Sequence, residues 1–118
     1  MPDARKARLD LIGDCLGSDE NVLLDVLALL LDPGQGLSKR EAEGYLVLTN
    51  RRLIFGTAKH GILIDLPTKK IQVPVAITHR FMMARLLVKA EGGAEHTLVV
   101  NKGAARQAAL AINKAAST

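Results

Sequence analysis

The stretch GYLVLTNRRLIF, residues 44–55, constrains this chain more than any other. Two apolar runs, residues 45–49 and 52–55, meet at the two-residue joint Asn50-Arg51. A joint of that length turns one strand straight back on the next. It also sets the register, with Leu48 opposite Leu53, Val47 opposite Ile54, Leu46 opposite Phe55 and Tyr45 opposite Gly56. Side chains alternate across a strand, so Leu46, Leu48, Leu53 and Phe55 share one face. Tyr45, Val47 and Ile54 share the other, beside Thr49 and Arg52. An antiparallel hairpin with one wet face carries polar residues there. Here it carries two branched apolar residues, whose burial is worth on the order of 3–5 kcal/mol. Both faces therefore need a cover. A helix of the same chain is favoured over a second chain, because it costs no association entropy. At the joint, Asn50 tolerates the positive φ that the favoured tight turns require, whereas Arg51 is a poor second residue compared with Gly.

The remaining elements follow from periodicity and punctuation. Asp3 can cap a leading helix that runs to about Leu16, with Ala4, Ala7, Leu11, Ile12 and Cys15 on one side. Residues 22–31 fit a strand by alternation and a helix through Leu23, Leu27, Leu30 and Leu31, so period alone does not decide. Asp32-Pro33-Gly34 ends that element, and GQGLSKREAE reads as a polar loop with a short helical turn at 38–43. Strands are expected at 62–66, 71–77, 82–90 and 96–101. Pro74 places the second of these at a sheet edge or bulge. A final helix, 103–116, carries the small-residue stripe Ala104, Ala105, Ala108, Ala109, Ile112 and Ala115, with Leu110 on its far side. The expectation is one domain over residues 1–118, with a leading helix at 3–16, strands across 20–101 and a capping helix at 103–116. Its class is mainly β (α+β), an antiparallel sheet bent toward a barrel with one end covered by the last helix.

Charge divides the chain. Residues 1–50 hold 5 Lys/Arg and 9 Asp/Glu, whereas residues 51–118 hold 11 and 3. The basic half can attract an anionic partner, or neutralise the acidic half. No apolar run approaches the ~20 residues of a membrane-spanning helix. The N-terminus lacks the apolar segment of a secretory signal. A cytoplasmic location is expected, with the inner face of the membrane as the peripheral alternative. Cys15 is the sole cysteine, which leaves neither an internal disulfide nor a cysteine zinc site.

The hairpin phrase, followed by GILIDLPTKKI, resembles the bacterial pleckstrin-homology-like (PH-like) and GRAM domains. The shared pattern is a glycine before a strand, Leu-Thr-Asn-Arg-Arg at the hairpin, then an apolar run and a later Lys-Ile pair, here Lys70-Ile71. The likeness extends more loosely over residues 20–112. It implies a seven-stranded barrel of two nearly orthogonal sheets capped by the C-terminal helix. It implies no catalysis and no cofactor. It also implies binding of anionic lipid headgroups, peptides or proteins, and in some members ring assembly. Lipid-binding members place spaced Lys/Arg around the loop between their first two strands. That loop here offers only Lys39 and Arg40, beside Glu41 and Glu43, and departs from the pattern.

The candidate chemistry is that of binding. His60, His79 and His96 lie in separate regions without metal-ligand spacing. The GQG at 34–36 lacks the Lys-Ser/Thr of a phosphate loop. Ser38 and Ser117 have no base at readable spacing. No enzyme, metal or small-molecule substrate is expected. Protein contact, including self-association, is the first reading, with Tyr45, Val47, Ile54, Phe81 and Met82 as candidate interface residues. Phe81 and Met83 also fit a strand start that packs inward. The second reading is an anionic membrane surface met by Lys39, Arg40, Lys59, Lys69 and Lys70. Nucleic acid is the third, through Arg51, Arg52, Lys59, Lys69, Lys70 and Lys102, though few aromatic residues are present to stack on bases.

Overall fold

A computed structural model of the chain describes residues 16–31 and 42–117. Among these the elements in order are β1 (Val22–Leu30), β2 (Glu43–Thr49), β3 (Arg52–Thr57), β4 (Gly61–Pro67), β5 (Ile71–Arg80), β6 (Met83–Ala90), β7 (Glu95–Asn101) and α1 (Lys102–Ala116). A 3-10 turn, Thr68–Lys70, joins β4 to β5. The strands form one antiparallel sheet in the order β4-β3-β2-β1-β7-β6-β5. Two sheets were expected from the resemblance, and hydrogen bonding joins them into one. The joint is narrow: β1 meets β7 only through Leu29 opposite Val99 and Leu30 opposite Leu98.

The β2–β3 register is the one a two-residue joint dictates, with Leu48 opposite Leu53 and Tyr45 opposite Gly56. The turn itself is not one of the positive-φ types. Asn50 does not take a positive φ; among the described residues Phe81 is the one non-glycine that does. The Thr49 hydroxyl closes the turn by accepting the Arg51 N–H at 3.1 Å and the Arg52 N–H at 3.0 Å. A short hydroxyl side chain offers the backbone this local partner, so no left-handed residue is needed. At the far end of the hairpin a Cβ on Gly44 would collide with the carbonyl of Gly56. The glycine before the strand is therefore a requirement of close backbone approach.

Residues 22–30, ambiguous in sequence, form a strand. As a helix they would leave β2 with an unpaired edge of backbone donors and acceptors. As β1 they pair with β2 along most of its length. Leu24, Val26, Ala28 and Leu30 pack into the core, while Leu23 and Leu27 face outward. Glu43 opens β2, so the helical turn expected at 38–43 does not include that residue, and residues 38–41 lie outside the described residues. The leading helix of residues 3–16 lies outside the described residues except for Leu16.

The sheet wraps one main core of Leu46, Leu48, Leu53, Phe55, Leu86 and Leu98, closed by Ile112 and the alanines of α1. Helix α1 packs chiefly on β5, with further contact to β6, β7, β1 and the 3-10 turn. Its buried residues are Ala105, Ala108, Ala109 and Ile112, and Leu110 stays exposed. Small side chains let the helix axis lie close to the sheet. The Asn101 side chain caps the helix by accepting the Gly103 N–H at 2.8 Å. Pro74 sits on β5, an edge strand, where the register slips between Gln72 and Ala76. A proline there removes no ladder bond that the fold needs. The slip turns Val73 outward, and the freed Val75 N–H donates to the Asn113 side chain at 2.9 Å. Strand β6 begins at Met83, one residue later than expected.

Two substitutions test this account by urea unfolding. Gly44→Ala should lower the unfolding free energy by about 1–3 kcal/mol or more, because the added carbon meets backbone that cannot move aside. Asn101→Ala should cost about 1 kcal/mol through loss of the helix cap.

Candidate binding surface

The second face of the hairpin is buried, as its composition requires. Val47 and Ile54 are fully enclosed, with Leu16, Tyr45 and Ile62 packed against them. Both were candidate interface residues. They are interior residues of the chain itself, and that assignment is corrected here. Tyr45 is only partly covered.

What holds the incoming segment there is polar. The Glu20 carboxylate accepts from Arg52 Nε at 2.8 Å, Arg52 Nη2 at 3.0 Å, the Thr49 hydroxyl at 2.6 Å and the Gly17 N–H at 3.1 Å. Arg52 also reaches Asp65 at 2.9 Å, a partner that sequence reading did not find. Hydrogen bonding to the Arg52 guanidinium holds the Glu20 carboxyl well below the usual range, at about 2, against the opposing effect of burial. Arg52 is shifted upward by the same hydrogen bonds. Asn50 clasps the same segment, accepting the Asn21 N–H at 2.7 Å and donating its amide to the Asp19 carbonyl at 3.0 Å. Arg51 reaches Asp19 at 3.4 Å while more than half exposed, so that pair adds little. Thr49, Asn50 and Arg52 thus fasten residues 17–21 across the end of the hairpin.

The basic candidates do not form one patch. Lys69 and Lys70 are exposed on the 3-10 turn, and Lys59 lies in the β3–β4 turn. The seven residues of β4 separate them, a span of roughly 20 Å. Lys39 and Arg40 lie outside the described residues. Of the nucleic-acid set, Arg51 and Arg52 are engaged with Asp19, Glu20 and Asp65. The histidines stay apart, with His60 in the β3–β4 turn, His79 on β5 and His96 on β7. Among the described residues no three His, Cys, Asp or Glu side chains come together as a metal site.

Apolar exposure is greatest at one end of the sheet. Leu27 is 65% exposed on the outer face of β1, while the exposed Leu23 lies nearer the β2–β3 turn, with the exposed Asp25 between the two. Beside Leu27 runs a groove of about 480 Å³, lined by Leu29, Tyr45, Ala58, Met83 and Val99, with Glu43 at its margin. The β5–β6 hairpin ends at the same side. Its two turn residues, Phe81 and Met82, are 97% and 80% exposed. The inward-packing alternative for Phe81 is thereby overturned. Strand β5 ends at Arg80 and β6 begins at Met83, so Phe81 lies in the turn and belongs to no strand face.

No protein-family profile matches the sequence, and no curated protein is similar to it in sequence. Solved structures are similar in fold. One is the C-terminal domain of an unknown protein from Leishmania infantum, with 16% identity, a TM-score of 0.69, and coverage of 98% of this chain and 100% of that one. Another is a DUF1696-family protein with a pleckstrin-homology domain from Shewanella loihica PV-4, with 18% identity, a TM-score of 0.63, and coverage of 98% and 99%. The fold is PH-like.

Within this PH-like sheet the Leu-Thr-Asn-Arg phrase acts as a clasp on the chain's own backbone. The signal that reveals it is the acidic pair Asp19-Glu20 upstream, which sequence alone does not connect to residues some thirty positions away. No helix among the described residues is long and apolar enough to cross a membrane.

The clasp gives a pH signature. The Glu20 carboxyl is depressed from 4.5 to about 2, so its stabilising effect is complete above pH 4.5 and is lost as pH falls toward 2. Thermal unfolding followed from neutral to strongly acid pH should show a falling midpoint in that window. In Glu20→Gln this contribution should disappear, with a lower midpoint at neutral pH. Arg52→Ala leaves a buried carboxylate without its counter-charge and should cost about 3 kcal/mol or more in chemical denaturation.

Proposed function

We propose that the chain is a non-catalytic PH-like binding and assembly module that works through protein contacts on the outer face of the sheet, with a second copy as the partner. The hairpin phrase supports placing it with the GRAM-like form of the fold. The observation that carries the reading is Leu27, 65% exposed in the middle of a strand and directly opposite the half-covered Tyr45. A single exposed leucine is ordinary. Leu27 and Tyr45, however, line the groove together with Leu29, and Tyr45 packs against the buried apolar face of Val47 and Ile54. Contiguous apolar surface of this kind marks contact sites more often than solvent faces. A two-fold contact needs only the same patch on each copy, so self-association is the simplest occupancy.

The lipid and nucleic-acid alternatives draw on cations divided between the two ends of β4, which weakens both as a single patch.

Size-exclusion chromatography with light scattering across a concentration series tests the proposal. A dimer or larger species is expected, and Leu27→Lys should shift it to monomer with little change in the thermal midpoint. One monomeric species at every concentration would remove self-association. An unaltered oligomer in Leu27→Lys would place the contact elsewhere.

A further inference from the structure

We propose that single-stranded nucleic acid binds along the outer face of α1, with its phosphates on Lys102, Arg106 and Lys114 and one base stacked on Phe81 at the tip of the β5–β6 hairpin. This goes beyond the protein contact above and uses different residues.

The first observation is a row of charge. Lys102, Arg106, Leu110 and Lys114 follow one another at four-residue steps, so they run down one side of the helix. All four are exposed, whereas Ala105, Ala108, Ala109 and Ile112 hold the opposite side in the core. From Lys102 to Lys114 the row spans roughly 18 Å. No Asp or Glu occurs between Asp65 and Glu91, or after Glu95. Neither α1 nor β5, against which it packs, therefore carries an acid. Among the described residues none of the three cations forms an ion pair. Solvated helix faces commonly mix both signs in pairs four residues apart. This one holds a single sign, the layout of a surface for a polyanion.

The second observation is where the row leads. The Lys102 N–H donates to the Met82 carbonyl at 3.0 Å, and Asn113, near the other end of α1, accepts the Val75 N–H at 2.9 Å. The helix thus runs antiparallel to β5. Its row of cations starts at the hairpin tip and ends toward the 3-10 turn, where Lys69 and Lys70 are exposed. Glu91 stands beside that turn, its N–H donating to the Lys70 carbonyl at 2.9 Å, so the phosphates are assigned to α1 and not to the turn. Lys59, at the far end of β4, takes no part.

The third observation is the ring at the head of the row. Phe81 is 97% exposed, while the other phenylalanine, Phe55, is fully buried. Phe81 also sits at φ 51°, the left-handed region. Two-residue hairpin turns place Gly, Asn or Asp there, and a bulky residue is strained. Neither burial nor turn chemistry accounts for a phenylalanine in that position, and strain of this kind collects at binding sites. A bare aromatic ring beside a line of cations is the pairing by which single strands are held, with charge on the backbone and a ring under a base. Bases in a duplex are already stacked on one another, so such a ring selects an unpaired strand. The cations lead away from the ring in a line and do not circle it, which suits a chain of phosphates better than a flat surface of them.

Fluorescence anisotropy of labelled oligo(dT) and oligo(U), each of about twelve nucleotides, tests this with the full chain. Binding of either supports the proposal, and the tighter one identifies the sugar. With three phosphates neutralised, the logarithm of the affinity should fall against the logarithm of salt with a slope of about −2. Lys102→Ala, Arg106→Ala and Lys114→Ala should each weaken binding several-fold and flatten that slope by about 0.7. Phe81→Ala should weaken binding about tenfold and leave the slope unchanged. An abasic strand of the same length keeps the phosphates and lacks the bases. The parent should bind it about tenfold more weakly than oligo(dT), and Phe81→Ala should make no further difference. The chain contains no tryptophan, so Phe81→Trp is a single reporter, quenched by oligo(dT) and not by the abasic strand. Thermal midpoints of all these variants should match the parent, since the side chains are exposed. Absence of binding at low salt, a Phe81→Ala effect as large on the abasic strand, or equal affinity for polyglutamate would overturn the proposal. So would binding to phosphatidylserine vesicles with none to either oligonucleotide. Leu27→Lys should bind oligo(dT) as the parent does, so the two contacts stand or fail separately.

Discussion

A strand shows alternate side chains to opposite faces, so a hairpin that is apolar at nearly every position has no face to offer water. In this chain the β2–β3 register sends Leu46, Leu48, Leu53 and Phe55 into the main core and Val47 and Ile54 into a second, smaller one. The rest of the architecture answers that demand. The sheet bends, with α1 packed on its inner side, to close the first core. The segment entering β1 crosses the end of the hairpin and brings Leu16 onto the second.

The crossing is secured by a carboxylate with four partners. Glu20 is buried, but each of its oxygens accepts two hydrogen bonds, and the guanidinium of Arg52 supplies one to each. A lone buried charge would be costly; one paired in this way stays ionised and holds position. Thr49 links the two functions, because its hydroxyl closes the β2–β3 turn and also donates to Glu20. Turn geometry and docking of the N-terminal segment therefore depend on the same side chain.

This arrangement leaves a division of labour along the sheet. One end is spent on self-fastening, with Asn50, Arg51 and Arg52 turned to the chain's own backbone and acids. The opposite end holds the exposed groove beside Leu27 and the bare tip of Phe81 and Met82. Arginines that read as a binding patch in sequence belong to the first end. The surface with apolar groups to spare belongs to the second, where the proposed protein contact and the proposed stacking tip lie.

Local chemistry was enough to specify much of this. The two-residue joint set the β2–β3 register, Pro74 marked a sheet edge or bulge, and the alanine stripe marked a helix that lies close to a sheet. Each depends on residues a few positions apart, and strand alternation carries such information directly. The strand at residues 22–30 was not decided locally, since its leucines fit either period; it became a strand because β2 had an open edge to fill. The partners of Glu20 and of Asp65, the engagement of Arg51 and Arg52, and the separation of Lys59 from Lys69 all join residues far apart in the chain. They follow from how strands are ordered in space, which no local pattern encodes. Phe81 shows the same limit at the scale of one residue. Where β5 ends and β6 begins is set by their pairing with each other, which put Phe81 in the turn, off the strand and out of the core.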